Sequence, residues 1–161
     1  MKTLLKTSLA LSTFLAVVGI LGSSAIAQTS PVTMLITAGT TGKFIPTPHS
    51  LTTSGYSDFA ANIKVRADGT ASGQFVCAVL NAIVISGQAT NATVNADGSV
   101  TITGIGYGYA VGFGGFDNDS FFVTFRAGGP KVGQFDFADA NFPAGFYDTE
   151  GVLYGSINIS R

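Results

Sequence analysis

Strict alternation of apolar and polar residues is the feature of this sequence that most restricts its fold. Every second residue from Phe59 to Val65 is apolar, and most of the residues between them are polar. Side chains of a β-strand point alternately to its two faces, so the pattern predicts a strand with one buried face. Asp68-Gly69 follows directly, a pair that favours a tight hairpin turn with positive φ at both residues. This part of the chain therefore predicts a β-hairpin.

Short strands and glycine-containing turns continue along the chain. A second turn signal, Asp97-Gly98, separates two alternating segments. After the first 27 residues, no segment shows a useful apolar stripe with the 3.6-residue period of a helix. Regular short strands with turn signals predict an all-β fold, a small antiparallel β-sandwich or barrel of about eight strands. The predicted strands after the first hairpin strand lie at residues 71–75, 83–89, 93–96, 99–103, 121–126, 132–137 and 152–159.

An internal sequence repeat supports a symmetric arrangement of these strands. Residues 66–75 and 126–135 are identical at six of ten aligned positions, and both segments enter a strand through Gly-Gln-Phe. Two matching hairpins indicate a pair of related sheets or the two halves of one barrel. An outer-membrane barrel is the rival fold, but it needs apolar-out strands of about ten residues, and most of the predicted strands are shorter.

The N-terminus reads as an export signal. Two lysines precede a mostly apolar run at residues 9–21, and Ala25 and Ala27 have the A-x-A spacing of a cleavage site. We predict a signal peptide over residues 1–27 and a single all-β domain over residues 28–161. The mature protein is then secreted, periplasmic or on the cell surface, with no stable membrane span. An uncleaved membrane anchor is the alternative, because the apolar run is almost long enough to cross a bilayer.

Charge and residue counts disfavour several classes of function. Without the signal, 6 basic and 9 acidic residues give a net charge of −3, which argues against binding to nucleic acid. Cys77 is the only cysteine, so it has no disulfide partner within the chain, and we expect it to be a small buried apolar residue. His49 is the only histidine and lies in a Pro-rich segment, so neither a Ser-His-Asp triad nor a Cys/His zinc site is predicted.

Acidic residues are concentrated near the C-terminus and allow two kinds of chemistry. The pairs Asp136 with Asp139, and Asp148 with Glu150, could act as acid and base in glycoside hydrolysis. The segment Asp117-Asn118-Asp119 places side-chain oxygens just before a predicted strand, as a calcium ligand set would. Its other interpretation is an Asx turn that caps that strand. No cofactor other than calcium is suggested by the sequence.

A glycine-spaced group of aromatic residues precedes these acids. The group comprises Tyr107, Tyr109, Phe113 and Phe116. Such aromatics can form an adaptable loop that contacts a ligand, or they can be one wall of the core where glycines let strands bend. The sequence leaves both interpretations open.

Several short motifs resemble the post-COAP domain family. They are residues 42–48 (Gly-Lys-Phe-Ile-Pro-Thr-Pro), 64–66 (Lys-Val-Arg) and 68–75, with later strands at 100–104 and 119–123. The resemblance covers roughly residues 35 to 126 and departs from the family pattern at Val76-Cys77-Ala78, where a more polar stretch is expected. It implies a secreted β-domain, often appended to other modules, with no established activity to transfer.

Three functions remain open on the sequence alone. The leading hypothesis is a secreted, non-catalytic β-domain that acts as a structural or interaction module with an unknown partner. The second is a small-ligand-binding barrel or sandwich with the aromatics of residues 107–116 at its mouth, with or without calcium. The third is a hydrolase that uses the C-terminal carboxylates. A filled interior favours the first, a pocket with convergent polar groups the second, and two acids facing each other across a cleft the third.

Overall fold

The computed structural model describes residues 30–47, 54–112, 114–139 and 146–161, and these residues form a closed barrel of eight antiparallel strands. The signal-peptide prediction, His49 and Phe113 lie outside the described residues. Each strand pairs with the next along the chain, and the last pairs with the first. The all-β prediction is confirmed, and of its two forms the barrel is the observed one. The strands are β1 Val32–Ile45, β2 Tyr56–Arg66, β3 Ala71–Val79, β4 Ile83–Val94, β5 Val100–Ala110, β6 Gly114–Arg126, β7 Gln134–Asp139 and β8 Phe146–Ser160.

All of the predicted segments differ in their bounds from the observed strands, most of which are longer, and the segments predicted at 83–89 and 93–96 are joined in one strand, β4. The alternation in β1 is hidden by small residues such as Ala38 and Gly39, so the sequence did not predict this strand. Two more strands start earlier than predicted, β6 at Gly114 and β8 at Phe146. Antiparallel pairing with a long neighbour extends each of them, because β6 lies beside β5 and β8 beside β1.

The barrel interior is filled by aromatic rings. Phe59 of β2 lies near the centre, with its ring centroid 4.5 Å from that of Phe135 and 5.9 Å from that of Phe75. The ring of Phe75 is in turn 4.5 Å from that of Phe121. An eight-stranded barrel has an interior just wide enough for side chains to fill, and here large rings fill it. The buried rings of this cluster are Phe59, Phe75, Phe121, Phe125, Phe135 and Phe137.

The two Asp-Gly turns share one geometry, which corrects the predicted φ angles. Only the glycine of each pair has a positive φ, 82° at Gly69 and 84° at Gly98. Asp68 has no positive φ, and its carboxylate accepts a hydrogen bond from the backbone N–H of Thr70, 2.9 Å away. This pattern is typical of a longer hairpin connection in which a single left-handed residue closes the turn. The prediction of two positive φ angles at the first turn was wrong.

The two copies of the internal sequence repeat lie on opposite sides of the barrel. Residues 66–75 form the β2–β3 connection and the first half of β3, and residues 126–135 form the corresponding connection between β6 and β7. In a closed ring of eight strands, these hairpins are four strands apart. Both copies end in an inward phenylalanine, Phe75 in one and Phe135 in the other. The repeated segments therefore occupy equivalent positions in the two halves of one barrel.

Candidate functional site

A β-bulge in β6 brings an acidic residue beside the exposed aromatics of β5. The pairing of the two strands shifts between Gly106 and Gly108, so that Asp117 and Asn118 together lie opposite Tyr107. Asn118 adopts a left-handed φ of 59°, and its backbone N–H donates to Oδ1 of Asp117 at 2.9 Å. Bulges of this kind redirect side chains and are common beside functional sites. The segment is therefore a bulge within a strand, and the Asx turn predicted to cap a strand start is wrong.

Tyr107 and Tyr109 lie on a strand and point outward, which differs from both interpretations of the sequence. They are two residues apart on β5, so they share one face of the sheet. Their side chains are 51% and 58% exposed, so they belong neither to a loop nor to the core wall. Phe116 differs from them, because it is half-buried and packs against the core.

These side chains border a groove of about 460 Å³ on the outside of the barrel, which we call the outer groove. It contains three of the four predicted ligand-contacting aromatics and the first of the three predicted metal ligands. Strand β4 forms the opposite wall with an aliphatic and a hydroxyl side chain, so the groove combines apolar faces with a few polar groups, as ligand sites usually do. The lining residues are Val84, Ser86, Tyr107, Gly108, Tyr109, Phe116 and Asp117.

The predicted calcium ligands are only partly brought together. Asp117 and Asn118 are exposed neighbours in the bulge, and Asp119 is half-buried. Within the described parts of the chain, no three His, Cys, Asp or Glu side chains are grouped so that they could hold a metal ion. Calcium binding prefers six to eight oxygen ligands, so this segment would need water or backbone oxygens for most of them. The calcium site stays a prediction.

Thermal unfolding tests the calcium prediction directly. We expect the melting temperature in millimolar calcium to equal that in chelator, because one oxygen of Asp117 is already held by the bulge backbone. Calcium that bound only the folded state would add about 2.7 kcal/mol at a hundredfold excess over its Kd. The double variant Asp117→Asn, Asp119→Asn is the control. A calcium-dependent rise that this variant abolishes would contradict our expectation and establish the site.

A second polar group lies inside the barrel, and we call Ser57, Cys77, Asp148 and Glu150 the inner acid cluster. All four are buried, with Glu150 only 2% exposed. The hydroxyl of Ser57 donates to Oε2 of Glu150. Strand β1 leaves room for this carboxyl group at Gly42, where any Cβ would collide with it.

Burial changes the proton affinity of two members of this cluster. Removal from water raises the pKa of Glu150 to about 7, although the hydrogen bond from Ser57 opposes the rise and the charge of Asp148 adds to it. Burial also raises the pKa of the Cys77 thiol to about 12, with a further contribution from Glu150. Cys77 is therefore a buried neutral thiol, as the sequence predicted, and not an activated nucleophile.

The two candidate carboxylate pairs occupy different places. Asp136 on β7 is half-buried and accepts a hydrogen bond from Nε2 of Gln134 at 3.0 Å, and the side chain of Asp139 lies outside the described residues. Asp148 and Glu150 are both buried and are two residues apart on β8, so they share one face of that strand. Their side chains therefore lie next to each other on the inner face of the barrel. A glycosidase instead places its two carboxyl groups on either side of the bond to be cleaved.

Ser57 is the site residue that the sequence analysis missed, and a signal for it was present. Ser57 is two residues before Phe59, so it lies on the same inward face of β2 as the alternating apolar residues. A hydroxyl group therefore occupies a position where the alternation predicts an apolar side chain. A polar residue at an inward position needs a hydrogen-bond partner, which here is Glu150. The partner could not be predicted, because the two residues are 93 positions apart in the chain.

The segments that suggested a resemblance to the post-COAP domain family lie on β1, β2, β3, β5 and β6. Residues 42–48 include the end of β1, and residues 68–75 span the turn into β3 and its first half. The later segments, 100–104 and 119–123, pair with each other in β5 and β6. None of the described residues belongs to a helix long and apolar enough to cross a bilayer. No protein-family model, curated protein or solved structure matches this chain.

Proposed function

We propose that this protein is an exported, non-catalytic β-barrel that acts as an interaction module and binds its ligand in the outer groove. Export rests on the signal peptide predicted over residues 1–27. The binding role rests on one observation, the β6 bulge that brings Asp117 into the same groove as the exposed tyrosines of β5. A bulge interrupts the hydrogen-bonding ladder, and an outward tyrosine pair exposes apolar surface to water. Ligand binding accounts for both features together.

The packed interior favours the interaction-module hypothesis and leaves the outer face of the barrel for any binding site. Eight-stranded barrels that carry small molecules do so in a central cavity. Here the centre is occupied by the ring of Phe59 and its neighbours at 4.5–5.9 Å. A ligand inside this part of the barrel would have to displace close-packed rings, which is energetically costly. The ligand-binding alternative of the sequence analysis is therefore retained with its site moved to the outer face.

A carboxylate-based hydrolase is the competing function, and the pKa of Glu150 is the observation that favours it. A general acid must keep its proton near the working pH, and a pKa of about 7 satisfies this requirement. Its surroundings favour a structural role, because Glu150 is 2% exposed and its carboxylate is engaged by Ser57. We therefore rank this function second.

Binding to the outer groove can be tested by NMR with a mixed set of small cationic, neutral and anionic probes. We expect at least one probe to shift the backbone resonances of Tyr107, Tyr109 and Asp117 in a saturable manner. The double variant Tyr107→Ser, Tyr109→Ser should weaken that probe by at least about tenfold, since it removes two aromatic faces. Tyr154→Ser is the matched control, because Tyr154 is an exposed tyrosine of β8 outside the groove. Saturable shifts confined to other residues, or none with any probe, would refute the proposed function.

A further inference from the structure

We propose that the ligand of the outer groove is a small organic ammonium cation, with a trimethylammonium group as the recognised part. The inference rests on the proposed function and adds the chemical class of the ligand. Three features of the groove carry it, namely its charge, its aromatic faces and its lack of the oxygen ligands that a metal ion needs.

The charge of the groove favours a cation. Asp117 is the only charged residue among the seven described residues that line it. None of those seven is a lysine, arginine or histidine, so a bound anion would meet a carboxylate with no compensating charge. One oxygen of Asp117 accepts the N–H of Asn118, which fixes the carboxylate at the groove wall. A positively charged group in the groove would be attracted to a carboxylate that is already positioned.

The aromatic faces favour a large, weakly hydrated cation. Tyr107 and Tyr109 are two residues apart on one strand face, which separates their Cβ atoms by about 7 Å. A cation within about 6 Å of a ring centroid is attracted by the π-face, so one group between the two tyrosines can reach both. Phe116 and Val84 add apolar surface on either side. Quaternary ammonium groups lose their hydration easily and are recognised by the faces of aromatic side chains.

The polar groups of the groove are too few for a hard metal ion. Calcium takes six to eight oxygens, whereas the lining side chains offer one carboxylate and three hydroxyls, those of Ser86 and the two tyrosines. The hydroxyls suit the polar end of a small amine alcohol, which can both donate and accept hydrogen bonds. A volume of about 460 Å³ lies within the usual range for small-ligand sites.

Choline and its uncharged isostere 3,3-dimethyl-1-butanol provide the decisive comparison, because they have almost the same shape and differ in charge. We expect choline to bind at least about tenfold more tightly, as measured by NMR titration of the groove resonances. Asp117→Asn should reduce choline affinity by about tenfold and leave the affinity for the alcohol unchanged. Asp136→Asn is the matched control, since it removes one outward acid from β7 and should change neither affinity.

Different results would overturn the inference at different levels. Equal binding of choline and the alcohol would show that the groove recognises shape and apolar surface only. Preference for a methyl glycoside over choline would assign the groove to a polyol. Equal binding to phosphatidylcholine and phosphatidylglycerol vesicles, without binding of free choline, would assign it to a membrane surface that is not recognised through its ammonium group. Each of these outcomes overturns the ammonium proposal and leaves the binding function intact. Absence of binding by every probe overturns both.

Discussion

Replacement of Glu150 by glutamine should remove most of the loss of stability that we expect for the protein between pH 5 and pH 8. In the parent protein, we expect the free energy of unfolding to fall by about 2–3 kcal/mol over this range through Glu150 alone. In the Glu150→Gln variant, that contribution should be absent. The variant should therefore be the more stable protein at pH 8.

The sign follows from the direction of the pKa change. Glu150 keeps its proton up to about pH 7 in the folded barrel, whereas the ordinary value of 4.5 applies to the unfolded chain. Between these values the folded state binds more protons than the unfolded state, so stability falls as pH rises and levels off above about pH 7. The full difference is worth about 3 kcal/mol, because one pKa unit corresponds to about 1.4 kcal/mol. Cys77 does not titrate in this range, since its pKa is about 12.

Urea unfolding of parent and variant at several pH values measures this effect. Glutamine resembles the protonated carboxyl group and can still accept the hydrogen bond from Ser57. Asp136→Asn is the control for net charge, because it also removes one acid but from a half-buried, outward position. If the parent and the Glu150→Gln curves run parallel from pH 5 to pH 8, Glu150 does not gain its proton affinity from folding.

Replacement of Phe59 by alanine should destabilise the barrel by about 3–5 kcal/mol, the usual effect of removing a buried phenylalanine ring. Phe59 is 2% exposed and contacts rings on three other strands. Neighbouring rings such as Phe135 are held by their own strands and cannot collapse fully into the gap. A domain of this size has a total stability of about 5–15 kcal/mol, so the variant should be close to unfolding.

Two further variants keep this prediction informative if Phe59→Ala fails to fold. Phe59→Leu retains most of the volume and should cost about 1 kcal/mol. Phe122→Ala removes a ring from β6 that is 37% exposed and faces outward. Its loss in free energy of unfolding should therefore be several-fold smaller than that of Phe59→Ala. Equal losses for Phe59→Ala and Phe122→Ala would mean that the interior rings do not determine stability.

The sequence alone predicted the parts of the fold that depend on local pattern. The alternation around Phe59 and Val65 defined β2 and its inward face, and the Asp-Gly pairs located two hairpin turns. The prediction from sequence failed where the alternation of apolar and polar residues is weak. The small residues of β1 carry no clear alternation, and the strand forms because β2 and β8 supply hydrogen-bonding partners on both sides.

The candidate site was predicted in part. The spacing of residues in two segments identified Tyr107, Tyr109 and Phe116 as candidate ligand contacts and Asp117 as a candidate metal ligand, and all four line one groove. Their sequence did not reveal that the tyrosines point outward. The bulge opposite Tyr107 decides where Asp117 lies, and its position depends on the register between two strands.

What the sequence by itself determined was the class of fold, because side-chain alternation and turn chemistry act between residues close together in the chain. Only the tertiary structure decided that the strands close into a barrel whose interior is filled with rings. It also decided that Ser57 meets Glu150 and that Tyr107 meets the bulge of β6. These contacts join residues far apart in sequence, and they depend on strand order and register, which local pattern does not encode.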